Sequence, residues 1–97
     1  MTQLESIVST IKKLKPELIQ KFGVSSIGLF GSVVRTDFSS AKSDIDIIVD
    51  FSRPVGIEFI DLADLLETTF KRKIDLISKK GIKSKYFREI EKDLFYV

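Results

Sequence analysis

Two short polar clusters hold the residues of this chain that are best suited to chemistry. The first is Gly31-Ser32, which directly follows a short apolar run. The second is the pair Asp44 and Asp46, which opens another apolar run after a polar loop. A glycine lets backbone N–H groups approach a phosphate closely, and paired carboxylates can hold divalent cations. Together the clusters are suited to holding a triphosphate with its metal ions.

The chain contains no cysteine and no histidine. These absences exclude a disulfide framework, zinc sites built on cysteine or histidine, and a Ser-His-Asp triad. The polar chemistry of an enzyme with this sequence must therefore come from carboxylates, Arg, Lys, Ser, Thr and Tyr. Metal sites built only from carboxylates prefer hard cations, chiefly Mg²⁺ or Mn²⁺.

Length and composition predict one small globular domain over residues 1–97. The hydrophobic fraction is 43% and the charged fraction 31%, which is typical of a folded chain. The net charge of +2 is too small to favour nucleic acid as a partner. No apolar run approaches the roughly 20 residues that span a bilayer, and the first residues lack the pattern of a signal peptide. We therefore expect a cytoplasmic protein with no membrane segment.

Hydrophobic spacing predicts alternating helices and strands, and hence an α/β (α+β) domain. The predicted helices cover residues 3–22, 57–70 and 83–94, with a short helical turn at 32–37, and the predicted strands cover 24–30, 44–51 and 73–77. Thr2 is the expected N-cap of the first helix, and Pro16 is expected to kink or split it. In the last helix, the residues predicted to point inward are Tyr86, Phe87, Ile90 and Leu94. Residues 38–43 are small and polar and predict a loop, and residues 95–97 predict a brief strand or a packed tail.

The period of two in a strand puts Asp44 and Asp46 on one face, roughly 6–7 Å apart. Carboxylates held this close repel each other, and a bound cation removes that cost. Asp75 lies in the short strand 73–77 and joins the pair if the two strands are neighbours. Each feature alone also has a plain structural interpretation: solvated charges at a strand end, a surface residue, or a turn followed by a helix cap. Jointly they favour two-metal phosphoryl or nucleotidyl transfer, with Asp75 accepting the proton of an attacking hydroxyl.

These motifs resemble those of a known family. Phe30-Gly31-Ser32, the segment from Ser43 to Phe51 (SDIDIIVDF) and the later KIDLI strand are similar to minimal nucleotidyltransferase domains of the DNA polymerase beta superfamily. The resemblance implies a small mixed β-sheet flanked by helices. It also implies roles for individual residues: nucleotide binding by Gly31, Ser32, Arg35 and Ser43, and binding of two Mg²⁺ ions by Asp44 and Asp46 with Asp75 completing the site.

Small stand-alone members of this family typically occur beside a helical HEPN-domain toxin. The resemblance implies an antitoxin that transfers AMP from ATP to a hydroxyl of that toxin, and a tyrosine is the expected acceptor. The alternative is an antitoxin with weak or no activity that neutralises its partner by binding. In this chain the loop 33–43 is one residue longer than is usual in the family, and Thr36-Asp37 stands where a glycine and an acidic residue are usual.

Charge is unevenly distributed along the chain. Residues 44–67 have a net charge of −6, whereas residues 71–88 have a net charge of +7. The plain interpretation is a set of solvated faces and loops. The alternatives are a basic patch that docks an acidic partner or steers ATP, and, with less support, a patch that binds nucleic acid.

Overall fold

The computed structural model describes residues 3–35 and 44–97. In order, its elements are helix α1 (Gln3–Phe22), strand β1 (Val24–Phe30), a 3₁₀ turn (Gly31–Val33), β2 (Ile45–Phe51), α2 (Ile57–Phe70), β3 (Ile74–Ser78), a second 3₁₀ turn (Lys79–Gly81), α3 (Ser84–Glu91) and β4 (Phe95–Tyr96). The predicted elements are therefore present, most with bounds within one residue. Thr2, Ser43, residues 36 and 37 of the predicted helical turn, and the predicted loop 38–43 lie outside the described residues.

The four strands form one mixed sheet in the order β3-β2-β1-β4. Strand β1 is antiparallel to both β2 and β4, whereas β2 and β3 are parallel and are joined by the crossover helix α2. Parallel neighbouring strands need such a crossover, because the chain must return to the end of the sheet at which the first strand begins. The predicted small mixed sheet flanked by helices is confirmed.

One face of the sheet carries the main core. The buried side chains of this core come from α1, α2 and alternate positions of the strands, and include Ile7, Ile11, Leu18, Ile27, Leu29, Ile45, Ile47, Val49, Leu62, Leu66 and Ile74. Alternation along a strand puts the intervening residues on the opposite face, where Asp46 lies beside the buried Ile48. Hydrophobic packing on one face thus leaves the other face available for polar groups.

Helix α1 runs without interruption from Gln3 to Phe22, so the expected split at Pro16 is wrong. Tertiary packing of Ile11 and Leu18, on either side of the proline, buries both of these side chains completely and holds the helix together. Within residues 3–35 and 44–97, no helix has the length and apolar composition that crossing a membrane requires.

The last helix is shorter than the predicted range 83–94. It ends at Glu91 because the N–H groups of Asp93 and Leu94 bond to carbonyls three residues earlier, which tightens the chain into a turn. The turn lets residues 95 and 96 return to the sheet as an edge strand. The prediction that Tyr86 points inward is wrong, since this residue is 57% exposed on the outer side of α3.

Candidate active site

Parallel pairing of β2 with β3 places Asp46 directly opposite Asp75. Both follow a residue of the core face, Ile45 and Ile74 respectively, so both side chains lie on the opposite face of the sheet. Asp46 is half-buried and Asp75 is exposed. The structure therefore brings together two carboxylates that are 29 positions apart in the sequence.

Two hydrogen bonds at the start of these strands hold the register. The Ile45 N–H donates to the carbonyl of Lys73 at 3.1 Å. The Ile74 N–H donates to Oε2 of Glu67, near the end of α2, at 3.2 Å. Glu67 thus fixes the strand that carries Asp75, a role that its place in an amphipathic helix does not indicate.

The environment of Asp46 disfavours its charged form. The pKa of Asp46 is raised from 3.8 to about 6, first by burial and then by the negative charges of Asp75 and Asp44 and a side-chain hydrogen bond with Asp75. The positive charge of Arg35 acts against this rise. At neutral pH the carboxylate is therefore mostly ionised at an energetic cost, which a bound cation would remove.

The 3₁₀ turn lies directly against this carboxylate. Phe30 pairs with Asp46 across β1 and β2, so Gly31 follows immediately beside it. Gly31 has a φ of +73°, which favours glycine, and a Cβ atom there would overlap Asp46 Oδ2 and lie 3.2 Å from Cγ. Only glycine fits here without moving the carboxylate, which explains why this residue type stands at this position.

Ser32 and Asp44 are two further residues that the sequence predicts for this site. Ser32 is half-buried within the 3₁₀ turn, and Asp44 is exposed one residue before β2 begins. Among residues 3–35 and 44–97, no three acidic side chains are arranged as a ready metal site. The structure thus brings Asp46, Asp75 and Gly31 together, but Asp44 does not complete a preformed cluster.

Arg35, the last described residue before the loop, forms an ion pair. Its Nη1 donates to Oδ2 of Asp93 at 2.9 Å. Asp93 is not indicated by the sequence, because an acid that follows a helix 58 residues away carries no local signal of this contact.

A groove of about 670 Å³ lies away from these residues, between α1 and β4. Apolar side chains that line it include Leu4, Val8 and Phe95, and none of the three aspartates does so. The candidate site is therefore defined by its polar side chains rather than by this groove.

The family model described as nucleotidyltransferase domain matches residues 11–96, which is most of the chain. This chain belongs to the nucleotidyltransferase domain family. The predictions of family, fold and enzyme class are therefore confirmed, and the match includes the Gly31 turn and all three aspartates.

Similar proteins agree with this assignment. Protein adenylyltransferase MntA of Thermococcus cleftensis is 39% identical to this nucleotidyltransferase domain, over 100% of this chain and 98% of the relative. A solved structure provisionally described as a minimal nucleotidyltransferase has a TM-score of 0.79 at 21% identity, over 97% of this chain and 95% of that chain. A chain from the complex of a tri-AMPylated Shewanella oneidensis HEPN toxin with its MNT antitoxin has a TM-score of 0.72 at 21% identity. The match covers 97% of this chain and 71% of that chain. These structures share the fold of the nucleotidyltransferase domain described here.

Proposed function

We propose that this domain transfers AMP from ATP to the hydroxyl group of a tyrosine on a HEPN-type protein and thereby acts as an antitoxin. The observation that carries the proposal is the contact of Asp46 with both Asp75 and the Gly31 turn. Nucleotidyl transfer needs these groups together: carboxylates for metal ions beside a turn that accepts phosphate. The similarity to a protein adenylyltransferase supports AMP as the transferred group.

The carboxylates fit divalent metal ions. Asp46 and Asp75 present hard oxygen ligands, their mutual repulsion favours a cation between them, and Asp44 is close enough to add to that repulsion. We expect these three residues to hold two Mg²⁺ ions, with Mn²⁺ as a substitute. Bound metal would stabilise the negative charge that develops on the attacking and leaving oxygens.

We expect the other predicted residues to bind and orient the reactants. Backbone N–H groups of the 3₁₀ turn and the Ser32 hydroxyl would bind the triphosphate, and Arg35 would add positive charge. Ser43 is expected to contribute to nucleotide binding. Asp75 is exposed, so an acceptor hydroxyl can reach it and transfer its proton to the carboxylate. The hydroxyl oxygen then bonds to the α-phosphorus, the bond to the bridging oxygen breaks, and pyrophosphate leaves.

The test uses isotope-labelled ATP, Mg²⁺ and a purified HEPN-type protein from the same organism, with mass spectrometry of that protein. We expect added AMP with the wild type, and a loss of about 100-fold or more with Asp46→Asn or Asp75→Asn. Asp64→Asn, at an exposed position on α2, is the matched control and should transfer normally. Full transfer by the Asp46→Asn, Asp75→Asn double variant would refute the proposed mechanism.

The second candidate function is an antitoxin that acts by binding alone. It is favoured by the exposed position of Asp44, which leaves the described residues without a ready three-carboxylate cluster. On this hypothesis, a variant with all three aspartates changed to asparagine neutralises its partner as well as the wild type does. A loss of neutralisation together with a loss of AMP transfer would favour the enzyme.

A further inference from the structure

The ion pair of Arg35 with Asp93 connects the candidate site to the C-terminal segment. The two side chains meet at 2.9 Å, and Asp93 is the less exposed partner at 28%, against 52% for Arg35. The Arg35 N–H donates to the carbonyl of Gly31 at 3.3 Å, so this residue follows directly on the turn of the candidate site. Arg35 therefore connects Asp93 with that turn.

Asp93 is held firmly by its own segment. Its N–H donates to the Ile90 carbonyl at 3.1 Å, which closes the turn after α3. The next residue, Leu94, packs on Gly28, where an added Cβ would lie only 2.9 Å from Leu94 Cδ1. Phe95 then pairs with Leu29. The backbone that carries Asp93 is thus fixed relative to β1, the strand that leads into the Gly31 turn.

Arg35 has a long side chain that is 52% exposed. An arginine side chain has many accessible rotamers, and binding to a phosphate restricts them. A guanidinium also carries five N–H donors in a planar fork, more than one carboxylate can engage. The bond of Nη1 to Asp93 therefore orients the fork and by itself engages only part of its donors.

We propose that Asp93 is a positioning residue for the nucleotide: its carboxylate holds the Arg35 guanidinium beside the Gly31 turn, ready for the triphosphate. This inference rests on the proposed function, in which Arg35 meets the nucleotide. Asp93 itself touches neither nucleotide nor acceptor. Its contribution is preorganisation, which lowers the entropy that Arg35 loses when ATP binds.

The test measures the Kd of Mg·ATP by calorimetry, and KM and kcat for AMP transfer. Asp93→Ala should raise Kd and KM by about 3- to 10-fold, the range expected for one unrestrained side chain, and leave kcat nearly unchanged. Asp93→Asn retains one carbonyl acceptor and should fall between the wild type and Asp93→Ala. Glu89→Ala, at an exposed acid of α3, is the control and should not change Kd.

A double-mutant cycle separates positioning from a general structural role. In an Arg35→Ala background, Asp93→Ala should have no further effect on Kd, because the side chain that it positions is gone. The proposal is overturned if Asp93→Ala raises Kd equally in both backgrounds, if it leaves Kd unchanged, or if it lowers Kd. It is also overturned if Arg35→Ala binds ATP normally. Failure of the wild type to bind Mg·ATP would instead refute the proposed function, and this inference with it.

Discussion

Asp46 is the residue at which stability and function oppose each other. Burial and neighbouring carboxylates raise its pKa to about 6, so at neutral pH the metal-free domain carries an unfavourable charge. An apolar or amide side chain would be more stable at this position. The unfavourable charge is expected where a site must attract cations, because the repulsion that destabilises the metal-free domain would strengthen the proposed binding of metal.

The stability of the metal-free domain should therefore depend on Asp46 and on pH. Because its pKa is raised in the folded state, protonation stabilises the fold, and this contribution is lost as the pH rises through about 6. At pH 8 without divalent cations, Asp46→Asn should raise the free energy of unfolding by about 1 kcal/mol, a figure reduced for partial exposure. Thermal unfolding should show this as a Tm higher by roughly 4–8 °C.

The pH series supplies the control for this prediction. The difference in Tm between Asp46→Asn and the wild type should shrink as the pH falls from 8 towards 4, since the wild-type carboxyl is then neutral as well. Asp64→Asn, at an exposed position on α2, should not show this trend. A variant that is less stable than the wild type at pH 8 would contradict this account of Asp46.

Among the elements, α1 shows how packing overrides local preference. Pro16 has no N–H to donate to the carbonyl of Lys12, and its ring crowds that carbonyl, yet the helix continues. Buried Ile11 and Leu18 anchor the helix to the sheet on either side of the proline. The proline itself is exposed, so it contributes little packing of its own.

Replacing this proline should stabilise the domain. Pro16→Ala restores a hydrogen bond and removes a clash, and should raise the free energy of unfolding by about 1–3 kcal/mol, measured by urea denaturation. AMP transfer should not change, because none of the residues placed at the candidate site lies on α1. Gln20→Ala, at another exposed position of α1, should change stability far less. A destabilised Pro16→Ala would mean that the proline acts mainly by restricting the unfolded chain.

In the whole molecule, the two faces of the sheet have different roles. One face is buried under α1 and α2, and the other carries Asp46 and Asp75 at one end. Part of the basic run 71–88 is used within the domain, since Lys79 contacts Tyr96 and Lys80 donates to the carbonyl of Phe51. Docking of an acidic partner on the remaining basic residues stays a prediction.

Binding of nucleotide should stabilise the whole domain. A ligand that binds only the folded state at about 100 times its Kd adds roughly 2.7 kcal/mol, so Mg·ATP should raise the Tm by several degrees. Differential scanning fluorimetry with Mg·ATP should show the shift, and EDTA should remove most of it. Asp46→Asn should show little shift, whereas Asp64→Asn should behave as the wild type. An unchanged wild-type Tm at millimolar Mg·ATP would argue against a nucleotide site.

The elements and the kind of chemistry can be predicted from the sequence. Hydrophobic periodicity indicates the helices and strands, because each must bury one face, and the absence of cysteine and histidine restricts the side-chain metal ligands to carboxylates. The sequence also indicates Gly31 and Asp46, since a glycine turn and a carboxylate pair lie close together along the chain.

Which distant side chains meet is determined by the tertiary structure and cannot be predicted from local sequence patterns. The contact of Asp46 with Asp75 depends on parallel pairing through α2, and Glu67 holds its register. The pairing of Arg35 with Asp93 depends on α3 ending early and on the C-terminal segment packing against β1. The physical reason is the same in both cases: residues far apart in sequence have no local signal for contact, and packing of the whole chain selects the pairs.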